Sequence, residues 1–328
     1  MTDTKKILIF YPSNTGGVAE VCLSIKSGMQ KLGYDVTCIT NYSHALKVSL
    51  KNVFSKDKNY AITNLHYGFF GLFFKRSAFI VHGFPQREHL SFIQYKLVVF
   101  FHWLFSILNS KTVAVSYLTK FASENFYNIK VDQVIHNILP HDFFTAFNNS
   151  SSIAKKSNSI AFVGRVIKEK GVEKILQAVN LVRQQTQQNI FVHVVGSGLQ
   201  LNYLKENYQN EHNYFHGYVD APTKYKILAE CNTFISLHPA EPFGITALEA
   251  SVLNVKCCLS AVGGHTEFVP HHLFYPINDI SSVEEIARAI FDSFNDKNNY
   301  YPVNFSLNNE NEYQKQYALQ FIQVLENN

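Results

Sequence analysis

At 328 residues, with 46% hydrophobic and 16% charged side chains, the chain is too long for one compact core and too apolar to be disordered, so two globular domains are expected. The net charge of +4 divides unevenly: residues 1–150 hold 15 Lys and Arg against 8 Asp and Glu, and residues 151–328 hold 14 against 17. The N-terminal half is therefore expected to face something anionic, such as a membrane surface or a phosphorylated lipid, whereas its scattered cations and lack of a binding motif argue against nucleic acid.

MTDTKKILIFYPSN runs straight into a strand, without the charged and apolar regions of a signal peptide. Cys22, Cys38, Cys231, Cys257 and Cys258 form no CxxC pair, which fits reduced thiols in a cytoplasmic setting. KKILIFYPSNTGG reads as strand and glycine turn, Val18–Leu32 as a helix with Gly33 past its end, and YDVTCIT as the next strand. The alternation continues through SAFIVHG, a long helix, KTVAVS, another helix and VDQVIHN. From Tyr67 to Phe105 the chain is crowded with Phe, and the apolar run Leu97–Leu108 is too short to span a bilayer, which needs about 20 helical residues. It reads either as a membrane-interface or acceptor-groove segment or as a buried helix of the first sheet.

The polar stretch Phe147–Ser159 breaks the pattern and is the expected domain boundary, giving domains at 1–150 and 151–310. Alternation restarts with IAFVGRV, a helix over Val172–Gln185, NIFVHVVGSG, NYFHGY, a helix over Thr223–Glu230, TFISLH, the helix GITALEASVL and KCCLSA. Two successive doubly wound α/β domains follow, with ligands expected at the carboxyl ends of the strands, in a cleft between two facing sheets. Residues 311–328 read as a closing helix.

Two segments carry chemistry. In HPAEPFGITALEA, Glu241 and Glu249 bracket Pro-Phe-Gly at a strand-to-helix junction. A helix starting near Gly244 presents free N–H groups and a positive dipole end, which suits a diphosphate. Glu249 has only Ile245 and Leu253 four residues away, so a polar partner from elsewhere is required, and ribose hydroxyls would serve. The plainer alternative makes Glu241 a helix-entry acid and Glu249 a solvent-facing residue. In FVGRVIKEKGVEKIL, Lys168 and Lys170 stand at a helix start, where positive charge is locally unfavourable. Together with Arg165 they suggest a shared anion, or else an ordinary cluster neutralised by Glu169 and Glu173.

FVGRVIKEKG, VVGSG, FHGYV, EPFGITALEA and VGGHTEFV, in this order, resemble the nucleotide-binding domain of the retaining GT-B glycosyltransferases (group 1). The resemblance covers most of residues 160–270 and implies a GT-B fold of two Rossmann-like domains, the second binding a nucleotide-sugar donor and the first the acceptor. It implies that Arg165 and Lys170 hold the diphosphate with the main chain of Gly244, Ile245 and Thr246, and that Phe243 belongs to the donor site. Glu249 would then bind ribose, Glu241 the donor sugar, and Tyr218 and Val219 the base, with Gly264 approaching the donor. The N-terminal match is weaker. Gly16-Gly17 resembles the family's glycine loop, or is a plain strand-to-helix turn; His82 resembles its donor-sugar histidine, or is a satisfied core residue. AVSYLTKF is assigned to structure, and Ile138 stands where relatives carry glycine after Asn137. The closing helix is expected to pack back on the first domain.

The implied reaction is retaining, metal-independent transfer from a nucleotide-diphosphate donor, UDP-sugar favoured, to a saccharide or lipid-linked acceptor in surface polysaccharide or lipopolysaccharide assembly. The chain has no DxD element and no cofactor is expected. A GT-B epimerase and a non-catalytic sugar-nucleotide binder are the competing readings. A dehydrogenase is disfavoured because neither NTGGVAE nor VVGSGLQL completes G-x-G-x-x-G. Peripheral attachment to an anionic membrane face is expected through Phe73, Phe74, Trp103, Lys75 and Arg76.

Overall fold

The computed structural model describes residues 6–12, 16–55, 58–85, 90–148, 154–296 and 310–327. They form two compact units, Met1–Pro140 with Leu307–Asn328, and His141–Ser306.

The first unit is a six-stranded parallel sheet in the order β2-β1-β3-β4-β5-β6. Its strands are β1 (Lys6–Phe10), β2 (Asp35–Ile39), β3 (Tyr60–Asn64), β4 (Arg76–Val81), β5 (Lys111–Ala114) and β6 (Gln133–Val134). The helices are α1 (Gly17–Lys31), α2 (Tyr42–Phe54), α3 (Phe92–Leu108) and α4 (Tyr117–Phe126), with a 3₁₀ segment over Leu65–Phe73. Strand alternation divides β1 between two faces. Leu8 and Phe10 join Tyr67, Phe70 and Phe74 in the core beneath α2 and the 3₁₀ segment. Ser116 caps α4 by accepting from the Thr119 N–H, the structural role expected for AVSYLTKF.

The last helix, α11 (Glu310–Glu326), belongs to this unit and lies on α1 and β4. Gly28 permits the approach, since a Cβ there would stand 2.1 Å from the Gln314 carbonyl oxygen. Gln314 Oε1 accepts from Ser27 Oγ at 2.7 Å and Lys31 Nζ at 2.6 Å.

The second unit repeats the architecture, in the strand order β12-β11-β10-β7-β8-β9, all parallel. After α5 (His141–Asn148) come β7 (Lys156–Val163), α6 (Val172–Thr186), β8 (Phe191–Val195), α7 (Leu201–Tyr208), β9 (Asn213–Gly217) and α8 (Ala221–Glu230). The chain continues with β10 (Cys231–Ser236), α9 (Ile245–Val252), β11 (Lys256–Ser260), β12 (Phe274–Ile277) and α10 (Val283–Asn295). Near-continuous apolar strands such as IAFV and FVHVV suit a sheet buried on both faces.

Four expectations change. The division falls at Pro140 rather than residue 150, because α5 packs on α8 and its Phe143 ring meets Tyr225 at 5.0 Å. Of the polar stretch 147–159, residues 149–153 lie outside the described residues and Lys156–Ser159 already belong to β7. Leu97–Leu108 is not a buried helix, since Phe105 alone of α3 is buried. Phe74 is core, and Arg76 does not face outward: its Nη1 donates to Leu325 O at 3.2 Å and Glu326 O at 2.9 Å, tying down the end of α11. The alternation also leaves α2, β3, α5, α7, β12 and α10 unread, although Asn41 and Ser282 cap the starts of α2 and α10.

Candidate active site

In the second unit the strand order reverses between β7 and β10, the switch point at which α/β sheets bind ligands. The loops leaving β7 and β10 carry the two motifs. After β7 the chain passes exposed Arg165, whose guanidinium has no partner among the described residues, and enters a 3₁₀ turn at Lys168–Lys170. Gly171, at φ 65°, redirects it into α6.

Lys170 Nζ lies 2.8 Å from Glu241 Oε2, both side chains largely withdrawn from solvent. Burial alone would raise the Glu241 pKa; the Lys170 ammonium, with His238 and His265 nearby, outweighs it and holds the carboxyl below its ordinary value. Of the cations for which the sequence suggests a shared anion, Lys170 is thus paired within the fold with Glu241.

Gly244, at φ 93°, begins α9, and no side chain caps that start. The first-turn N–H groups, those of Ile245 and Thr246 among them, have no partner within the helix and stand where the dipole is positive. Glu249, one turn further, is 1% exposed. Its Oε1 accepts from Lys224 Nζ at 2.9 Å and Tyr225 OH at 3.0 Å, both from α8, while Oε2 is buried with no hydrogen-bond partner. The solvent-facing alternative for Glu249 is excluded. A hydroxyl donor at Oε2 would recover the roughly 1–3 kcal/mol that an unmet buried acceptor costs.

Several glycines let these loops close on one another. A Cβ on Gly196 would stand 1.9 Å from the Gly164 carbonyl oxygen, and one on Gly264 would stand 2.1 Å from that of Pro242. Gly264 N–H donates to Glu241 O at 2.7 Å, so its missing side chain serves the packing of the β11 loop on the β10 loop. The Phe243 ring is buried 4.6 Å from Phe268, which makes it core. Tyr218 follows Gly217 at the end of β9 and is largely exposed, with Val219 half-buried beside it. Buried His265 donates from Nε2 to Ser260 O at 2.8 Å, and burial lowers its pKa, so the ring is neutral near pH 7.

In the first unit, Gly16 at φ 91° and Gly17 begin α1, a conformation that fits a tight entry turn; Ser13–Thr15, the start of that loop, lie outside the described residues. His82 follows β4. Its Nε2 is 2.6 Å from Asn64 Oδ1, and Asn64 Nδ2 donates to Phe10 O at 2.9 Å. The amide orientation makes Nε2 the protonated nitrogen and leaves Nδ1 as an acceptor. Burial pushes the His82 pKa down to about 4, so the ring is neutral at physiological pH.

The family model for glycosyl transferases group 1 matches residues 143–311. The chain belongs to this family. An uncharacterized glycosyltransferase of Methanocaldococcus jannaschii is 30% identical over 229 residues, which cover 66% of this chain. The chain spans 57% of that relative's length. Among solved structures, Anabaena HepE in complex with UDP and glucose superposes with a TM-score of 0.67 at 18% identity, covering 98% of this chain and 99% of HepE. WaaG, a glycosyltransferase involved in lipopolysaccharide biosynthesis, gives a TM-score of 0.67 at 12% identity, over 98% and 100% of the two chains. The fold is GT-B, two parallel six-stranded sheets flanked by helices.

In this group 1 chain the structure joins Lys170 to Glu241 and packs Gly244 and Gly264 against the Glu241–Phe243 segment. Arg165 is exposed on the same post-β7 loop with no side-chain partner among the described residues, and Gly16, Gly17 and His82 lie in the other unit. Lys224, Tyr225, Asn64 and His265 were not singled out from sequence. Lys224 is 25 residues from Glu249, and no local spacing announces the pair.

Proposed function

We propose that the chain is a retaining, metal-independent hexosyltransferase using a UDP-sugar donor and a saccharide or lipid-linked acceptor, at the cytoplasmic face of a membrane, in surface polysaccharide assembly. One observation carries the reading: buried Glu249 keeps an oxygen without a hydrogen-bond partner beside an uncapped helix start and the Lys170–Glu241 pair. That group combines a hydroxyl acceptor, an anion-binding main chain and a placed carboxylate, the requirements of a nucleoside diphosphate sugar. UDP is favoured because HepE, of the same fold, was crystallised with UDP and glucose, and the assembly role because WaaG acts in lipopolysaccharide biosynthesis.

In this mechanism the ribose hydroxyls meet Glu249, and the diphosphate lies on the Gly244–Thr246 main chain with Arg165 beside it. Glu241, ionised by Lys170, accepts from donor-sugar hydroxyls. The bond from anomeric carbon to phosphate oxygen breaks, the acceptor hydroxyl oxygen attacks from the same face, and its proton passes to the departing phosphate oxygen. Charge growing on that phosphate is what Arg165, Lys170 and the helix start stabilise.

The test is UDP release from a panel of UDP-sugars with and without acceptor saccharides, and the anomeric configuration of the product. Retained configuration and acceptor-dependent release support the reading. An epimerised sugar nucleotide formed without acceptor would assign the chain to the epimerases, and UDP-sugar binding without turnover would make it a binding subunit.

A further inference from the structure

We infer that the outer surface formed by α2, the Leu65–Phe73 segment and α3 is a docking face for an anionic lipid bilayer, an inference that rests on the lipid-linked acceptor proposed above. A helix apolar on every side belongs in a core or against lipid. α3 is such a helix, with Lys96 as its one charge, yet only Phe105 is buried. Phe92, Ile93, Leu97, Phe100, Phe101 and Ile107 are all exposed.

The neighbouring elements extend the apolar surface. The 3₁₀ segment packs on α3 so closely that a Cβ at Gly68 would stand 2.5 Å from Phe105 Cβ, and it exposes Phe69 and Leu72. The Tyr42 ring of α2 packs at a tilt against Phe70 of that segment, 4.9 Å between centres. Leu46, Leu50 and Val53 continue from Tyr42 along one flank of α2 at intervals of four, four and three residues, all exposed. Patches this extensive on soluble chains mark interaction sites.

Charge selects the occupant. Between Tyr42 and Leu108 stand eight Lys and Arg against two carboxylates, Asp57 and Glu88, and α2, the 3₁₀ segment and α3 contain no acid. Lys47, Lys51, Lys75 and Lys96 are exposed, and none has a carboxylate partner among the described residues. A second copy docked through the same face would set these cations against their own kind. An anionic membrane would neutralise them while taking up the phenylalanines. Among the described residues no helix is long and apolar enough to cross a membrane, so the contact is at the surface. Because α3 joins parallel neighbours β4 and β5, it runs back against them, and its Phe92 end lies toward the carboxyl edge where His82 sits. A bilayer held there presents a lipid-anchored acceptor to that edge.

The experiment is flotation of the full chain with vesicles of phosphatidylcholine containing one quarter phosphatidylglycerol, against phosphatidylcholine alone, at low and high salt. UDP binding is followed in the same samples by thermal shift. The wild type should float only with the anionic vesicles and be released by salt. Phe92→Ser/Ile93→Ser/Leu97→Ser and Lys47→Glu/Lys51→Glu/Lys96→Glu should each reduce partition at least tenfold, with UDP binding intact and with unchanged amide hydrogen exchange in β1, β3 and β4, which shows that the first unit folds. A wild type that binds UDP but ignores anionic vesicles overturns the docking face, as does a dimer in light scattering that the serine variant dissociates. Loss of vesicle binding with UDP binding retained leaves the transferase reading standing, whereas no UDP binding by the wild type removes that reading independently.

Discussion

Lys224 Nζ sits 2.9 Å from Glu249 Oε1 and 4.1 Å from the centre of the Tyr225 ring, so one residue of α8 holds the motif carboxylate while stacking on its other partner. The pair joins two helices through a charge-assisted bond that fixes which carboxylate oxygen remains without a partner. Lys224→Met should therefore weaken UDP binding about tenfold with a smaller effect on turnover, and lower stability by about 2 kcal/mol, the scale of a hydrogen bond to a charged group. Lys224→Arg should restore part of both. Calorimetric titration with UDP beside chemical denaturation checks this; unchanged UDP affinity in Lys224→Met would show that the bond is structural only.

The two cations after β7 should separate by experiment. Arg165→Ala should lower turnover by about two orders of magnitude, the size of a lost transition-state charge contact, with stability unchanged because the side chain is exposed. Lys170→Ala should lose as much activity and also stability, since Glu241 is left buried without its ammonium. Equal melting temperatures for both variants would contradict the pairing.

Acid sensitivity follows from Glu241. Its pKa is depressed in the folded state, so the pair's contribution is present above the ordinary carboxylate pKa and is lost as pH falls through the folded value. Melting temperatures from pH 6 down to pH 3, covering about one unit either side of ordinary carboxylate values, should fall more steeply for the wild type than for Glu241→Gln. Parallel curves would remove the ion pair from the account.

His82 works in the same sense over a higher window. The unfolded imidazole titrates near 6.5 and the folded one near 4, so the unfolded chain binds more protons between those values and stability drops as pH falls through them. Replacing the ring by His82→Gln should flatten that part of the profile. Imidazole carbon shifts followed by NMR, with the His82 signal assigned by its loss in His82→Gln, should show His82 still neutral at pH 5, beside His193, which burial also pushes down to about 4; protonation of His82 by then would contradict the burial.

Removal of divalent metal tests the leaving-group chemistry. Transfer should persist in excess EDTA with at most a modest loss, because protein cations and a helix start meet the diphosphate charge in the proposed mechanism. Complete inhibition reversed by Mg²⁺ would require a different site.

Gly28→Ala tests the closing helix. The added methyl meets main-chain oxygen at 2.1 Å, which no rotamer change relieves, so α11 must shift. The expected cost is about 1–3 kcal/mol, with faster hydrogen exchange confined to α11 and the facing turns of α1.

The amino-acid sequence by itself determined the periodic elements and the ends of strands. Strand–turn–helix alternation, glycines at Gly33 and Gly244, and the spacing of Glu241 and Glu249 are local signals, since a few adjacent residues decide backbone conformation there. What lay between distant segments was not legible. Lys224 meets Glu249 across 25 residues, Lys170 meets Glu241 across 71, and Arg76 meets the end of α11 across roughly 250, because packing of helices on a sheet rather than helical spacing brings them together. Nor does composition tell which apolar residues find a core: Phe74 and Phe92 read alike as letters, and only the tertiary structure puts one under α2 and leaves the other on the surface.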